Sequence, residues 1–452
     1  MKRNYEKTLR IILFGIGLGL LCLSFYFVWV EFYNHDIRLP FYRRGNYFLT
    51  IMYGIILFVC MMIMKGQYVG EARLLEVVVS QCISACMAAV IVYFPMSLLQ
   101  YELMSPWPLA LLLVAQWALI ALWNALANRI YFSLVPPLKI LLVYEDDKRS
   151  YLAEKLNNIS QRYSVCGEIS IHEGQSAIRE QIRDYEAVLL SVKNEAWHTW
   201  LVRLCFKRNI RVFLAPTLED VIINSARSIH PVDTPLLCSA DHRLTIEERA
   251  LKRTVDIFGA ALALLLFSPL LIFAALAIKL GDGGPVFFMQ ERLTRDGKRF
   301  RICKFRSMVV DAEKGGQRLA AENDERITRA GRVLRKLRLD ELPQLFNVLK
   351  GDMSLVGPRP ECPALAAEYE KKLPEFAYRL KVKAGITGYA QVYGDYTTDP
   401  ADKLLMDIMY IESQSFALDI SLLLLTIRTL FIIDKTKGTQ AEHPAETEVE
   451  TR

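Results

Sequence analysis

Asp340 and Glu341 are adjacent carboxylates in Leu-Arg-Lys-Leu-Arg-Leu-Asp-Glu-Leu-Pro-Gln-Leu (334–345), directly after a strongly basic stretch. Ionised neighbours held this close need a counter-charge, which a divalent cation, a phosphate-binding basic pocket, or both would supply. A second reading stays open. Acidic side chains are favoured in the first turn of a helix by its dipole, and Pro343 suits a first turn as well.

Further residues nearby could work on phosphate. Gln290–Lys298 has the form of a hairpin around Asp296-Gly297, followed by an expected strand, Phe300–Met308, with Lys304 and Arg306 on one face. Ile327, Ala330, Leu334 and Leu337 recur at helical spacing, with Arg329, Arg332, Arg335 and Lys336 around them. Val356-Gly357-Pro358-Arg359-Pro360-Glu361-Cys362-Pro363 is a stiff loop offering one guanidinium, a planar fork matched to phosphate oxygens. Lys383–Gln391 adds a glycine-bracketed turn with Thr387 and Gln391 as hydrogen-bonding groups. The basic residues could instead form a lipid-facing surface, where anionic headgroups attract each by about 1 kcal/mol. Nucleic acid is a poor partner for a membrane-embedded chain.

The elements that must position these residues begin in a membrane. The chain has 452 residues, 52% of them hydrophobic, unevenly spread. Ile11–Val30, Tyr47–Met64, Leu75–Leu99 and Leu109–Ala127 are nearly charge-free and long enough for a bilayer core, so residues 1–135 read as a four-helix transmembrane bundle. Lys2, Arg3, Lys7 and Arg10, then Lys65 and Arg73, then Arg129 and Lys139 place both ends of the bundle on the cytoplasmic side. Arg38, Arg43 and Arg44 run against that rule. Nine cysteines without paired spacing fit reduced thiols, and six scattered histidines do not suggest zinc.

Residues 136–245 change texture. Strands are expected at Lys139–Tyr144, Ser164–Ile169, Ala187–Val192 and Ile210–Leu214, with helices at Asp147–Ile159, Gln175–Arg183 and Glu195–Lys207. This alternation predicts a small Rossmann-like parallel α/β domain. Its first turn, Tyr144-Glu145-Asp146-Asp147-Lys148, lacks glycine and carries acids that would repel a pyrophosphate, so a structural, dimerising or regulatory module is expected. Asp220–Arg243 reads as a linker.

Val255–Leu280 is a fifth long apolar run, interrupted by Ser268–Pro269. Gln290–Lys350 downstream carries roughly twice as many basic as acidic residues. Placing that segment outside would violate the positive-inside bias. A break at Ser268–Pro269 would let residues 255–280 re-enter as a hairpin with both flanks cytoplasmic. Phe416–Ile433 reads as an interfacial or packing helix, and residues 438–452 as a disordered tail.

Together these residues resemble the bacterial sugar transferase domain of polyprenyl-phosphate hexose-1-phosphate transferases, the monotopic phosphoglycosyl transferases. The likeness covers Lys252–Lys437, about two-fifths of the chain. It is carried by Lys-Arg-Thr-Val-Asp (252–256), Gly-Gly-Pro-Val-Phe (283–287), Lys-Phe-Arg-Ser-Met (304–308), Leu-Asp-Glu-Leu-Pro-Gln-Leu (339–345), Gly-Asp-Met-Ser-Leu-Val-Gly-Pro-Arg-Pro (351–360) and Gly-Ile-Thr-Gly-Tyr-Ala-Gln-Val (385–392). The resemblance implies an α+β catalytic domain at 246–437 with a re-entrant membrane helix broken at Ser268–Pro269. It implies a UDP-sugar donor, an undecaprenyl-phosphate acceptor, Mg²⁺, and the cytoplasmic face of the bacterial inner membrane. The step would be the first membrane-bound one of exopolysaccharide, capsule or O-antigen synthesis. Asp340 matches the family nucleophile, Glu341 its partner carboxylate, both beside the metal. Arg335 and Arg359, with Lys304 and Arg306, match basic phosphate-binding positions. Thr387 and Gln391 are assigned to substrate, and a homodimer is compatible with the pattern. Two rivals are a membrane-bound nucleotide-sugar dehydratase or epimerase, which needs the missing glycine-rich turn, and a non-catalytic assembly scaffold, which the intact Asp340, Glu341 and Arg359 disfavour.

Overall fold

A computed structural model describes residues 5–35, 37, 40–145, 162–192, 194–229, 236–238, 244–309, 324–394 and 398–431. The chain divides into two compact units, Met1–Pro216 and Thr217–Arg452. The division falls at Pro216/Thr217, earlier than the expected 245/246.

In the first unit, α1 (Glu6–Val28, running on through a π turn at Trp29–Tyr33), α2 (Arg44–Ile63), α3 (Leu74–Gln100) and α4 (Trp107–Leu134) follow the four apolar runs. They share one core around Trp29, Tyr53, Ala88 and Ile120. Polar groups inside that core satisfy one another, as they must where water is absent: Tyr53 Oη donates to Gln116 Oε1 (3.0 Å), and Gln116 Nε2 donates to Ser24 Oγ (3.0 Å). Each helix is long and apolar enough to cross a membrane, and so is a fifth over Ile246–Gly281. This is a membrane protein. All nine cysteines are free.

The same unit carries a parallel sheet of β1 (Leu138–Tyr144), β2 (Tyr163–Ser170), β3 (Ala187–Ser191) and β4 (Arg211–Leu214), in the order β2-β1-β3-β4. Helices α5 (Gly174–Gln181) and α6 (Glu195–Lys207) join the strands. β1 is buried on both faces, which is why its sequence is a continuous apolar run rather than an alternating one. At its carboxyl end Glu145 accepts a hydrogen bond from Asn194 N (2.9 Å). The helix expected at 147–159 lies outside the described residues.

The second unit opens with α7 (Leu218–Ser225), where a linker was expected from 220. Val221 joins the core of this unit, and Ser225 Oγ donates to Glu412 Oε2 (3.3 Å). A short hairpin, β5 (Arg227–Ile229) with β6 (Leu236–Cys238), precedes α8 (Ile246–Asp282). Thr245 and Glu248 form a capping box at the start of α8, and Gly283 ends it in the left-handed region at φ 70°.

Ser268–Pro269, read as a break, lies inside this one continuous helix. Proline leaves the carbonyl of Leu265 without its usual donor, and Ser268 Oγ supplies one instead (2.8 Å). The helical assignment therefore runs on past the proline.

The amino-terminal part of α8 is its most polar stretch, and there it grips the unit through side-chain hydrogen bonds. β7 (Phe287–Leu293) and β8 (Arg299–Phe305) form the expected hairpin, turning at Asp296 and Gly297, both at positive φ. Then come α9 (Arg329–Lys336), α10 (Gln344–Lys350), β9 (Ser354–Val356), α11 (Pro363–Lys372), β10 (Gly385–Thr387), α12 (Tyr389–Tyr393), α13 (Pro400–Glu412) and α14 (Phe416–Phe431). Residues 432 onward, the end of the expected last helix and the tail, lie outside the described residues.

Phe300, Ile302, Val348, Val356, Leu404, Ile408, Leu422 and Leu425 form the core, joined by Ala260 of α8. Asp256 Oδ1 accepts from Ser354 Oγ (3.0 Å) and Leu355 N (2.9 Å); Lys252 Nζ binds Asp419 Oδ2 (2.6 Å) and Val356 O (3.2 Å). Arg253 covers the carbonyls of Val348 and Leu349, capping α10 (2.7 and 2.8 Å). The motif Lys-Arg-Thr-Val-Asp thus latches α8 to β9 and α10. Asp256→Ala strands two buried donors, and should cost about 1–3 kcal/mol of stability. A lower thermal unfolding midpoint in detergent is the expected outcome, and an unchanged midpoint would remove Asp256 from the latch.

Candidate active site

The acidic pair sits where three basic elements converge. Lys304 is the penultimate residue of β8 and lies on the face it shares with the buried Phe300 and Ile302. Past β8 the chain turns back on itself: Thr328 N donates to Ser307 O (3.1 Å), and Thr328 Oγ1 caps α9 by accepting from Gly331 N (2.9 Å). Gly331 is required here, because a Cβ would run into the Ser307 backbone. This close seating brings Arg335 Nε to Ser307 Oγ (2.8 Å). Arg329, Arg332 and Lys336 of the same helix are exposed, and so is Leu337, half-way out of the expected apolar stripe, while Leu334 is buried.

α9 stops at Arg338, which takes the left-handed conformation at φ 54°. That reversal throws the chain into a separate 3₁₀ turn, Leu339–Glu341, before Pro343 starts α10. The helix-start reading is therefore partly met: the carboxylates stand just ahead of α10 rather than in its first turn. The third element is the loop after β9. Arg359 Nη2 donates to Glu341 Oε1 (2.8 Å), and Lys304 Nζ donates to the same oxygen (3.0 Å).

The two carboxylates thus have different surroundings. For Glu341, burial pushes the pKa up, but Arg359 and Lys304 outweigh it and hold the carboxyl well below the ordinary range. For Asp340, burial and then the neighbouring Glu341 charge push the pKa up to about 6, and Lys304 and Arg335 offset only part of that. Burial draws the Lys304 ammonium down, against the pull of Glu341, while Glu341 holds the Arg359 guanidinium firmly protonated. The Arg359 side chain keeps 47% of its surface accessible, so this pair faces an open site.

Among the residues named from sequence, Asp340, Glu341, Lys304, Arg335 and Arg359 come together. Arg306 does not point there. It is 5% exposed and its guanidinium fills the space over Gly284, where a Cβ would collide with it. Thr387 and Gln391 also face elsewhere: Thr387 Oγ1 meets Thr426 Oγ1 (2.6 Å), and Gln391 Nε2 donates to Ile386 O (3.1 Å). They brace β10, which pairs in parallel with β9 (Thr387 opposite Val356) and so supports the loop bearing Arg359. Ser307 and Arg379 enter the site's framework without having been singled out. For Ser307 the signal lay in its place next to Arg306, and for Arg379 the sequence holds none.

A family model and several known proteins match this chain. Residues 247–432 match the family model described as bacterial sugar transferase. A UDP-glucose:undecaprenyl-phosphate glucose-1-phosphate transferase of Caulobacter vibrioides is 43% identical over 188 residues, covering 40% of this chain and 70% of that protein. The chain belongs to the bacterial sugar transferase family. A UDP-N-acetylgalactosamine-undecaprenyl-phosphate N-acetylgalactosaminephosphotransferase of Aeromonas hydrophila is 39% identical to this chain over 256 residues (54% of this chain, 59% of that one). A UDP-glucose:undecaprenyl-phosphate glucose-1-phosphate transferase of Escherichia coli is 41% identical over 226 residues (49% of each). The alignments with these last two span about half of the relatives' length.

In this site, Glu341→Gln removes the neighbouring negative charge and frees Lys304 and Arg359 to act on Asp340. Both changes favour the ionised form of Asp340, so its midpoint should fall from about 6 toward the ordinary carboxylate range. Carbodiimide labelling of Asp340 against pH, read by peptide mass spectrometry, follows this directly because only the protonated carboxyl reacts. A midpoint that stays or rises would contradict the charge balance described.

Proposed function

We propose that the protein transfers a hexose-1-phosphate from a UDP-sugar to undecaprenyl phosphate, with release of UMP. The observation that carries this reading is the division of labour in the acidic pair: Glu341 is neutralised by Lys304 and Arg359, while Asp340 keeps a raised pKa beside it. An ordinary carboxylate is a weak nucleophile. One of higher basicity, still ionised at neutral pH, is a better one.

The ionised Asp340 attacks the β-phosphorus of the donor. A new Asp340 Oδ–phosphorus bond forms as the bond from that phosphorus to the oxygen bridging the two phosphates breaks, and UMP leaves with the electron pair. An oxygen of the lipid phosphate then attacks the aspartyl phosphosugar, restoring the carboxylate and giving the lipid-linked diphosphate sugar. Arg335, across the turn, and Arg359, half open to the site, are placed to hold non-bridging oxygens, where phosphoryl transfer needs its charge stabilised. Lys304 acts through Glu341 and fixes the turn.

Mg²⁺ fits the donor set. Asp340 and the second oxygen of Glu341 are hard oxygen ligands of the kind Mg²⁺ takes, and would hold the ion. Among the described residues no group of three ligating side chains surrounds a metal, so the donor's phosphates and water would complete the shell. When bound, the ion neutralises phosphate charge that would otherwise repel the nucleophile.

We place the site on the cytoplasmic face, with α8 entering and leaving the membrane on one side. The basic excess of 290–350 and the proline at 269 support this, and it requires α8 to bend at Ser268–Pro269 within the bilayer. A site at the headgroup plane can meet both a soluble donor and a membrane-bound acceptor. The reaction would open the membrane stage of surface polysaccharide synthesis.

Asp340→Asn should abolish UMP release from UDP-sugars in membranes supplied with undecaprenyl phosphate. Substantial turnover by that variant would sink the assignment. For topology, a cysteine introduced at Leu280 should be labelled by an impermeant maleimide only after the cytoplasmic side is opened. Labelling from outside intact cells would mean that α8 spans.

A further inference from the structure

The loop that carries Arg359 is short of donors. Pro358 and Pro360 flank Arg359 and have no backbone N–H, so the loop must be held through its carbonyls. Four in succession are taken: Pro358 O accepts from Gly385 N (2.9 Å), Arg359 O from Arg379 Nη2 (3.0 Å), Pro360 O from Arg292 Nη1 (3.2 Å), and Glu361 O from Leu293 N (3.0 Å).

The bond at residue 359 itself comes from a buried guanidinium. Arg379 lies in the 3₁₀ segment Pro374–Lys381, is 6% exposed, and stacks over the Phe376 ring (4.7 Å). Its Nη1 donates to Glu361 Oε1 (3.5 Å), and its Nη2 is 2.7 Å from Asp407 Oδ2 on α13. Asp407 is 1% exposed. Breaking a buried charge pair by removing one partner is costly, so the pair holds the Arg379 fork in place. Arg379 holds the Arg359 carbonyl while the Arg359 side chain donates to Glu341.

We propose that Arg379, seated by Asp407, is a positioning residue that holds Arg359 against Glu341. Arg379 touches neither carboxylate of the pair, and acts only through Arg359. A planar fork is needed for this task, because one group must reach a carbonyl and two carboxylates at once. The inference rests on the proposed reaction for its catalytic consequence, but its geometry can be tested without turnover.

The test is a mutant cycle on the full-length protein in nanodiscs, reading the rate of phenylglyoxal modification at Arg359 by peptide mass spectrometry at one pH. Glu341→Gln should raise that rate about threefold or more, since the guanidinium then loses the carboxylate that shields it. Arg379→Gln combined with Asp407→Asn removes the buried pair without leaving a lone charge, and should give a similar rise. Adding Glu341→Gln to that variant should raise it no further, as expected of residues acting in series. UMP release by the Arg379/Asp407 variant should fall about tenfold or more in kcat, as for Arg359→Ala, with the loss not multiplying when the two are combined. No change in Arg359 reactivity from the Arg379/Asp407 change, or changes that multiply, overturns the proposal. Should that variant lose its fold, Arg379→Lys decides: it keeps the buried charge but not the fork, so a partial rise supports the role and an unchanged rate removes it. A wild type that labels as expected but releases no UMP would count against the reaction alone.

Discussion

One oxygen of Glu341 holds two cations from distant parts of the chain, Lys304 on β8 and Arg359 after β9. Everything else about the site depends on that shared contact. It closes the 3₁₀ turn onto the hairpin, joins the proline-flanked loop to both, and removes one of two adjacent negative charges. What remains is a single carboxylate in a basic, partly buried setting, with its proton affinity raised by burial and by its neighbour. An isolated acidic dipeptide has no such asymmetry.

Holding three short elements in register takes a rigid support, and the unit provides it through polar latches rather than long strands. β9 and β10 contribute three residues each. Their stability comes from close backbone approach at Gly357, Gly385 and Gly388, from Asp256 and Lys252 on α8, and from the guanidinium groups of Arg253, Arg292 and Arg379 on loop carbonyls. Prolines 358 and 360 stiffen the loop and deprive it of N–H groups, which is why side-chain donors do the holding. Thr387 and Gln391 belong to this support, where sequence reasoning had assigned them to substrate.

Much of the architecture was legible because its signals are local. Long charge-free runs specify membrane helices, alternating short runs specify the parallel sheet, and Asp296-Gly297 specifies its hairpin turn. Misreadings came where a contact from elsewhere decided the outcome. Residues 218–225 looked like linker, yet Val221 finds a core to enter and the segment becomes helical. At Pro269 the helical assignment runs on, where Ser268 supplies the donor that the Leu265 carbonyl lacks. Arg306 alternates with Lys304 in sequence, but β8 ends at Phe305, and the pleat that would have kept the two on one face ends with it.

The sequence by itself determined which residue types gather at the site: two acids, a basic helix and an arginine between prolines, in an order that marks the family. Such facts follow from short spacing and motif order. Composition and spacing could not say which acid is neutralised and which keeps a raised proton affinity, because Asp340 and Glu341 are chemically almost equal. Only the tertiary structure decided that, by bringing Lys304 from 37 residues away and Arg359 from 18 residues away to the same Glu341 oxygen. Charge interactions fall off with distance through space, not along the chain, so the roles of the pair become distinct only once the chain has folded.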